Sequence, residues 1–394
     1  MEETIFLGYS KKQNSASPSY GKSETEANEK WDGVLPQELI IEILLRLPVK
    51  SLVLFRCVSK TWLSLISNSQ FGELHFQRDS AHTQRLLYIS PSEVQSLDFN
   101  ASFHDDSASV KLSFPFGWPS NAVEIMGSCN GFLCLEVGIT GYFLWNPSTN
   151  VYKRLPDPRF PSLESENVFL YGFGCDTSTN DYLVVLVGYD TAAPIVKTHV
   201  EFYSLKTNSW EEIQEPSYQY MNSGDDTRAG VLLNGAIHWF AYRLDGPTVI
   251  VAFDLSEKKL REVPVHDGIE SYEPYDYDLG VIGGCLSITY MNNKAEIWLM
   301  KEYNVKSSWT KFMSSDFDQD FTKSLYPICL TKGGELLAVI EGNKLVNCNQ
   351  EGILLERRAL SDDLHECKAI VYTESLLPLT GDYGNDSINE DKKD

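Results

Sequence analysis

Two short motifs set glycines around residues able to do chemistry. Gly127-Ser128-Cys129-Asn130-Gly131 has the G-x-C-x-G form of a nucleophile elbow, in which a strained strand-to-helix turn would lift the Cys129 thiol toward a substrate. The elbow requires a helix after the turn. Phe132-Leu133-Cys134-Leu135-Glu136-Val137 reads as a strand, so a structural turn is expected instead. Gly172-Phe173-Gly174 is half of a dinucleotide fingerprint, yet Cys175-Asp176-Thr177 leads into a turn before Asp181-Tyr182 and not into a helix. No G-x-x-x-x-G-K-[ST] loop occurs. The histidines, at 75, 82, 104, 199, 238, 266 and 365, form neither H-x-x-x-H nor H-E-x-x-H. His238 beside Trp239 is expected to be a packed strand residue rather than a base. Cys129 and Cys134 make no C-x-x-C pair, so zinc ligation is not expected there. The residues therefore point to no catalytic group, no cofactor and no metal.

A different chemistry is open to Asp267-Gly268-Ile269-Glu270-Ser271-Tyr272-Glu273-Pro274-Tyr275-Asp276-Tyr277-Asp278, which mixes carboxylates with tyrosines. One reading is a solvated loop. The other is a target-binding loop preferring a basic partner, with Tyr272, Tyr275, Asp276, Tyr277 and Asp278 as contacts, because negative charge orients a cationic surface and tyrosine supplies contact area at low entropy cost. Trp118, Tyr218 and Tyr220 are further aromatic candidates for a recognition surface.

These residues sit in a chain of 394 that carries 33 Lys and Arg against 55 Asp and Glu, a net charge of −22. Such a field repels phosphate backbones and anionic headgroups, so neither nucleic acid nor a membrane surface is an expected partner. No run reaches the roughly 18 apolar residues of a membrane span, and residues 1–30 lack the apolar stretch of an export signal. A cytoplasmic and/or nuclear location is expected. Eight scattered cysteines in that setting argue against a disulfide framework.

Stepping along the chain, residues 1–30 are polar and expected to form a disordered leader. Residues 31–76 read as three short helices: one from Pro36 to Leu47 closed by Pro48, a second from Lys50 through Cys57, a third over Thr61–Ile66 before an Asn68-Ser69 turn signal. From about residue 85 the pattern changes to short strands rich in Val, Ile, Tyr, Phe and Trp, cut by Gly, Pro, Asn and Asp. One unit recurs there. Trp145 and Tyr152 flank Asn146-Pro147-Ser148-Thr149-Asn150-Val151, Tyr203 and Trp210 repeat the same offset, and Phe253 to Leu260 repeats it again. Looser copies lie near 298, 348 and 88. A period of about 50 residues built of hairpins predicts a kelch-like β-propeller of about six blades over 85–378, since a single blade cannot cover both of its faces. A pair of two-sheet sandwiches is the alternative. Residues 379–394 return to acidic, disordered composition.

The first helix is apolar around too much of its circumference. Leu39, Ile40, Ile41, Ile43, Leu44, Leu45 and Leu47 cannot share one stripe, so a second face must pack on the β domain or on another protein.

Leu35-Pro36, Glu38-Leu39, Ile43-Leu44, Leu47-Pro48, Ser51-Leu52, Arg56-Cys57-Val58-Ser59-Lys60 and Trp62-Leu63 together resemble an F-box. The β region is similar to the plant type-1 F-box-associated (FBA) domain of S-locus and defence-regulating F-box proteins. The matching segments are Gly127–Leu135, Trp145–Thr149, Tyr171–Gly174, Asp181-Tyr182, Asn234–Trp239, Phe253–Ser256, Met300–Tyr303 and Ser308–Lys311. Leu183 and Leu260 depart from the usual residues of that family, in a way expected to reflect blade packing.

The resemblance implies a non-catalytic subunit of a Skp–cullin–F-box (SCF) ubiquitin ligase. Its partners would be a Skp-type adaptor, through it a cullin and a RING subunit, and a protein target held by the β domain. Leu35, Pro36, Leu39, Ile43, Leu44, Leu47, Pro48, Leu52, Cys57, Val58 and Trp62 map to the adaptor-facing helices, with Leu63 and Ile66 expected in internal packing. A non-degradative scaffold on the same adaptor and a propeller enzyme with a site in its central channel are the alternatives.

Overall fold

A computed structural model describes residues 35–79, 83–116, 123–159, 170–190, 197–213, 220–222, 229–243, 248–267, 277–291, 294–315, 325–360 and 367–379. The expected leader over 1–30 and nearly all of the expected tail over 379–394 lie outside these residues. The chain divides into two compact units, residues 1–42 and 43–394.

Four helices come first: α1 (Gln37–Leu44), α2 (Val49–Phe55), α3 (Lys60–Ile66) and α4 (Ser69–Asp79). Each start has a local cause. The Pro36 carbonyl accepts from Leu39 N and Ile40 N, so Pro36 caps α1 rather than opening it. The Pro48 carbonyl accepts from Ser51 N and Leu52 N in the same way. Ser59 Oγ accepts from Trp62 N at 3.2 Å to cap α3. The fourth helix exceeds the three expected, because the Asn68-Ser69 signal is a cap: Asn68 Oδ1 accepts from Gln70 N at 2.9 Å and Phe71 N at 3.3 Å.

Six antiparallel sheets follow among the described residues. Blade one contains β1 (Gln84–Ile89), β2 (Val94–Leu97) and β3 (Ser109–Leu112). Blade two is β4 (Val123–Cys129), β5 (Phe132–Val137), β6 (Tyr142–Asn146) and β7 (Val151–Arg154). Blade three is β8 (Leu170–Asp176), β9 (Asp181–Asp190), β10 (Lys197–Ser204) and β11 (Ser209–Ile213). In blade four β12 (Tyr220–Asn222) and β13 (Val231–Leu233) both pair β14 (Ala236–Arg243), followed by β15 (Thr248–Asp254) and β16 (Lys259–Val263). Blade five is β17 (Tyr277–Ile282), β18 (Cys285–Met291), β19 (Ala295–Met300) and β20 (Trp309–Ser315), and blade six is β21 (Leu325–Leu330), β22 (Leu336–Ile340), β23 (Lys344–Cys348) and β24 (Leu354–Ala359). The last strand, β25 (Lys368–Thr373), pairs with β1 from Gln84↔Thr373 to Ile89↔Lys368 and so supplies the inner strand of blade one. The ring is thereby closed by hydrogen bonds between the two ends of the β region.

Six hydrophobic clusters each draw on two neighbouring blades, one for every junction of the ring. Trp145, Trp239, Tyr203, Phe132, Phe173 and Phe253 are their largest fully buried side chains. The offset of seven read from the sequence is a register: Trp145↔Tyr152, Tyr203↔Trp210 and Phe253↔Leu260 face each other across hairpins between third and fourth strands. The copies near 298 and 348 are also third strands, β19 and β23. The copy near 88 is not; Tyr88 lies in β1, a second strand, since β25 precedes it in the blade.

Four-residue turns close these hairpins by one device. Asp254 Oδ1 accepts from Ser256 N and Glu257 N, Asn146 Oδ1 accepts from Ser148 N, and the last turn residue adopts positive φ at Asn150, Asn208 and Lys258. Leu183 is fully buried in the junction of blades three and four, and Leu260 packs on the same cluster, which explains both departures from the family pattern.

Candidate functional site

Burial splits the residues mapped to the adaptor. On α1 and the residue preceding its cap, Leu35, Leu39 and Ile43 recur every four residues and are each about half exposed, at 46%, 51% and 50%. Such a row is one helical stripe. Leu44, in contrast, is 1% exposed and Leu52 is fully buried, so both are core residues of the helical segment rather than contacts for a partner. Pro48 and Cys57 are exposed, Leu47 is partly buried, and Trp62 is partly buried against the Phe55 ring at 5.4 Å between centroids.

The α2–α3 pair exposes its own apolar residues: Leu54 at 65%, Val58 at 61% and Leu63 at 46%. Leu63 is thus on the surface, against the expectation of internal packing, while Ile66 is fully buried as expected. Leu54 was not singled out by its sequence context, because one leucine in an apolar run carries no mark of which side it faces.

The helices α2–α4 are tied to the propeller by a strap, residues 374–379. His75 Nε2 bonds the Leu47 carbonyl at 2.8 Å, holding α4 to the segment before α2. A Cβ at Gly72 would lie 3.1 Å from the Leu376 carbonyl oxygen, so α4 meets the strap backbone directly. Ser375 is fully buried. Its carbonyl accepts from Asn146 Nδ2 at 3.0 Å, and its amide donates to Ser148 Oγ at 3.2 Å. Glu374 N donates to the Thr83 carbonyl at 3.0 Å, joining the strap to the chain just before β1.

Strand direction then fixes which end of the ring carries α2–α4. In a four-stranded antiparallel blade the first-to-second and third-to-fourth turns share one end, and the second-to-third turns and inter-blade connections share the other. The strap touches Gly131 and Asn146–Ser148, which lie in turns of the first kind. Helices α2–α4 therefore sit at the end closed by the short turns, and the outer strands β7 and β16 finish at the opposite end, at Arg154 and Val263.

The expected acidic target loop falls partly elsewhere. Tyr272, Tyr275 and Asp276 lie outside the described residues, as do Trp118 and Tyr218. Tyr277 is a core residue, 6% exposed, with its ring 5.8 Å from Phe240 and 5.7 Å from Tyr290. Asp278 belongs to the inner strand β17 and not to a loop. It is partly exposed, and burial pushes its carboxyl up to about 6. At that same end Lys368 Nζ and Glu124 Oε2, on inner strands β25 and β4, pair at 3.2 Å.

The motifs with catalytic form have structural explanations. Asn130-Gly131 is a two-residue hairpin turn with positive φ at both positions, joining β4 to β5. Burial pushes the Cys129 thiol up to about 12, which keeps it protonated and unreactive. At Gly172 a Cβ would overlap Ile237, and at Gly174 it would lie 2.6 Å from Leu255; these glycines allow blades three and four to close. His238 is fully buried, with Nδ1 3.2 Å from the Val231 carbonyl and Nε2 2.7 Å from the Tyr303 hydroxyl. Desolvation pulls it down to about 4, so it is a neutral donor to Val231 and acceptor from Tyr303. Among the described residues no group of three His, Cys, Asp or Glu is placed to hold a metal ion.

Comparison with known proteins accords with this arrangement. The F-box domain family matches residues 34–74, and the F-box associated beta propeller domain family matches residues 85–372. The F-box/kelch-repeat protein At3g23880 of Arabidopsis thaliana is 30% identical over 361 residues, covering 87% of this chain and 95% of that protein. The F-box protein CPR1 of Arabidopsis thaliana is 28% identical over 377 residues, covering 89% and 91%. The F-box match over the helices and the propeller match over the six blades make this chain a member of the F-box proteins that carry an F-box associated β-propeller domain.

Proposed function

We propose that the chain is the substrate-recognition subunit of an SCF ubiquitin ligase, with the F-box helices docking on a Skp-type adaptor and the propeller holding a protein target. The observation that carries this reading is the row of half-exposed Leu35, Leu39 and Ile43 along α1 and just before its cap, inside the F-box match. A monomer gains nothing by leaving such a row in water. Val58, Cys57 and part of Trp62 supply further adaptor contacts from α2–α3. Cullin and RING subunits join through the adaptor, and the ubiquitin chemistry is theirs.

The target is held at the end of the ring opposite helices α2–α4. The strap occupies part of the short-turn end, whereas the inner-strand residues Glu124, Lys368 and Asp278 lie at the other. Binding through shape and surface contacts at a propeller end requires no catalytic group of its own.

The test is a titration of the purified full chain against a purified plant Skp-type adaptor. A Leu39→Ala/Ile43→Ala variant is expected to bind at least about ten-fold more weakly, since truncated hot-spot anchors typically cost about 2 kcal/mol or more. Its thermal stability stays near wild type because both side chains are half exposed. Equal affinity of the two chains would refute the docking.

A further inference from the structure

We infer that the adaptor-facing surface of α2–α3 is built to receive an acidic partner, and that Arg56 is the residue on which a partner carboxylate closes. This rests on the docking proposed above and specifies its chemistry.

Two independent features lead there. The first is local charge. The chain has a net charge of −22, yet residues 43–72 contain Arg46, Lys50, Arg56 and Lys60 and not a single Asp or Glu. Acidic residues resume only at Glu73. A run of thirty residues with only positive charge is conspicuous in so acidic a chain, and it coincides with the F-box match at 34–74. The field of this run favours an anionic protein surface.

The second feature is a guanidinium whose bonding is incomplete. Arg56 ends α2, where its backbone amide donates to the Leu52 carbonyl. Its side chain is partly buried, and Nε is withdrawn from solvent with no hydrogen-bond partner among the described residues. Desolvation depresses its basicity in the free protein. A buried guanidinium donor without an acceptor is costly. Exposed Leu54, Cys57 and Val58 lie within two residues of Arg56 in the chain, so apolar surface and cation belong to one segment. A carboxylate brought by the partner would accept from the guanidinium fork in a water-excluded setting, where charge-assisted bonds are strongest. The arrangement gives specificity: an apolar partner without an anion would seal the guanidinium in without compensation.

Arg56→Met and Arg56→Lys decide the matter in the full chain, titrated against a purified plant Skp-type adaptor at two or more salt concentrations. Met keeps the length and the apolar stem but removes the charge. Arg56→Met is expected to leave the free chain folded, with a melting temperature equal to or above wild type, because it removes an unsatisfied buried donor. Binding should nevertheless weaken at least about ten-fold, with a shallower salt dependence, and Arg56→Lys should fall between. The opposite signs of the two effects separate an interface role from a folding role. Arg56→Met binding as tightly as wild type, or more tightly, overturns the inference while leaving the docking intact. Failure of the wild-type chain to bind the adaptor overturns both. Should Arg56→Met fold poorly, Arg56→Gln is measured in its place, and an affinity and salt slope equal to wild type overturn the inference equally.

Discussion

Alanine at Gly131 and at Gly235 form a matched pair that isolates the strap. Both are second residues of two-residue Asn-Gly turns between a blade's first and second strands, with φ of 84° and 75°. A left-handed alanine costs about 1–2 kcal/mol relative to glycine, partly offset by about 0.4–1 kcal/mol from the stiffer unfolded chain. Gly235 has nothing within 4 Å of its Cβ position, so Gly235→Ala should cost about 0.5–1 kcal/mol in total. At Gly131 the new methyl would overlap Ser375 Cβ and lie 2.9 Å from the Thr373 carbonyl oxygen. Ser375 cannot yield freely, being fully buried and bonded to Asn146 and Ser148. Overpacking of that kind adds about 1–3 kcal/mol. Equilibrium urea unfolding followed by tryptophan fluorescence should place Gly131→Ala below Gly235→Ala by that increment. Limited proteolysis should cut the strap first in Gly131→Ala. Two variants equal within about 0.5 kcal/mol would refute the claim that the strap is clamped on blade two.

Other consequences are open to measurement. Leu44→Ala and Leu52→Ala should each destabilise the chain by about 2–5 kcal/mol, whereas Leu39→Ala should change stability little and adaptor binding strongly; unfolding curves and titrations side by side check the division. His238 is held at about 4 in the fold against 6.5 when exposed, so it stays neutral while the unfolded chain binds the proton; stability should fall by about 3 kcal/mol as pH drops from 6.5 to 4. Replacing His238 by Gln should flatten that slope in a pH series of urea melts. Asp278 acts with the opposite sign: its carboxyl is raised to about 6, so the fold binds the proton more tightly and its stability declines as pH rises from 4 through 6. Asp278→Asn should therefore melt higher than wild type at pH 7.5 and no higher at pH 4. Thiol labelling at pH 8 should modify exposed Cys57 well before Cys129, whose thiol lies near 12.

Much of the fold was legible because its repeating chemistry is local. The offset of seven between aromatic anchors is the register of a four-residue hairpin, and Asn or Asp at its first position makes the turn by bonding its own backbone. The blade near 88 was misread by one strand, since the strand that completes it comes from the far end of the chain and leaves no local trace. Asn68 was read as a turn because an N-cap and a turn use the same side-chain acceptor. Leu35, Leu39 and Ile43 stood out through the F-box motif, and their exposure as one row shows only in the folded chain. Which neighbouring leucines it excluded was not, as Leu44 and Leu52 differ from Leu39 only in what packs over them. The strap was illegible for a related reason: Gly131 and Gly72 permit close approach, and only the folded chain shows that Ser375 and Leu376 approach them.

The most direct test of the central claim is co-purification of the full chain from plant cells treated with a proteasome inhibitor, beside a Leu39→Asp/Ile43→Asp variant, with quantitative mass spectrometry. The account predicts that wild type recovers a Skp-type adaptor and a cullin together with a further ubiquitinated protein, and that the variant loses the adaptor and cullin while keeping that protein in unmodified form. Recovery of adaptor and cullin in equal amounts by both chains, or by neither, would contradict it.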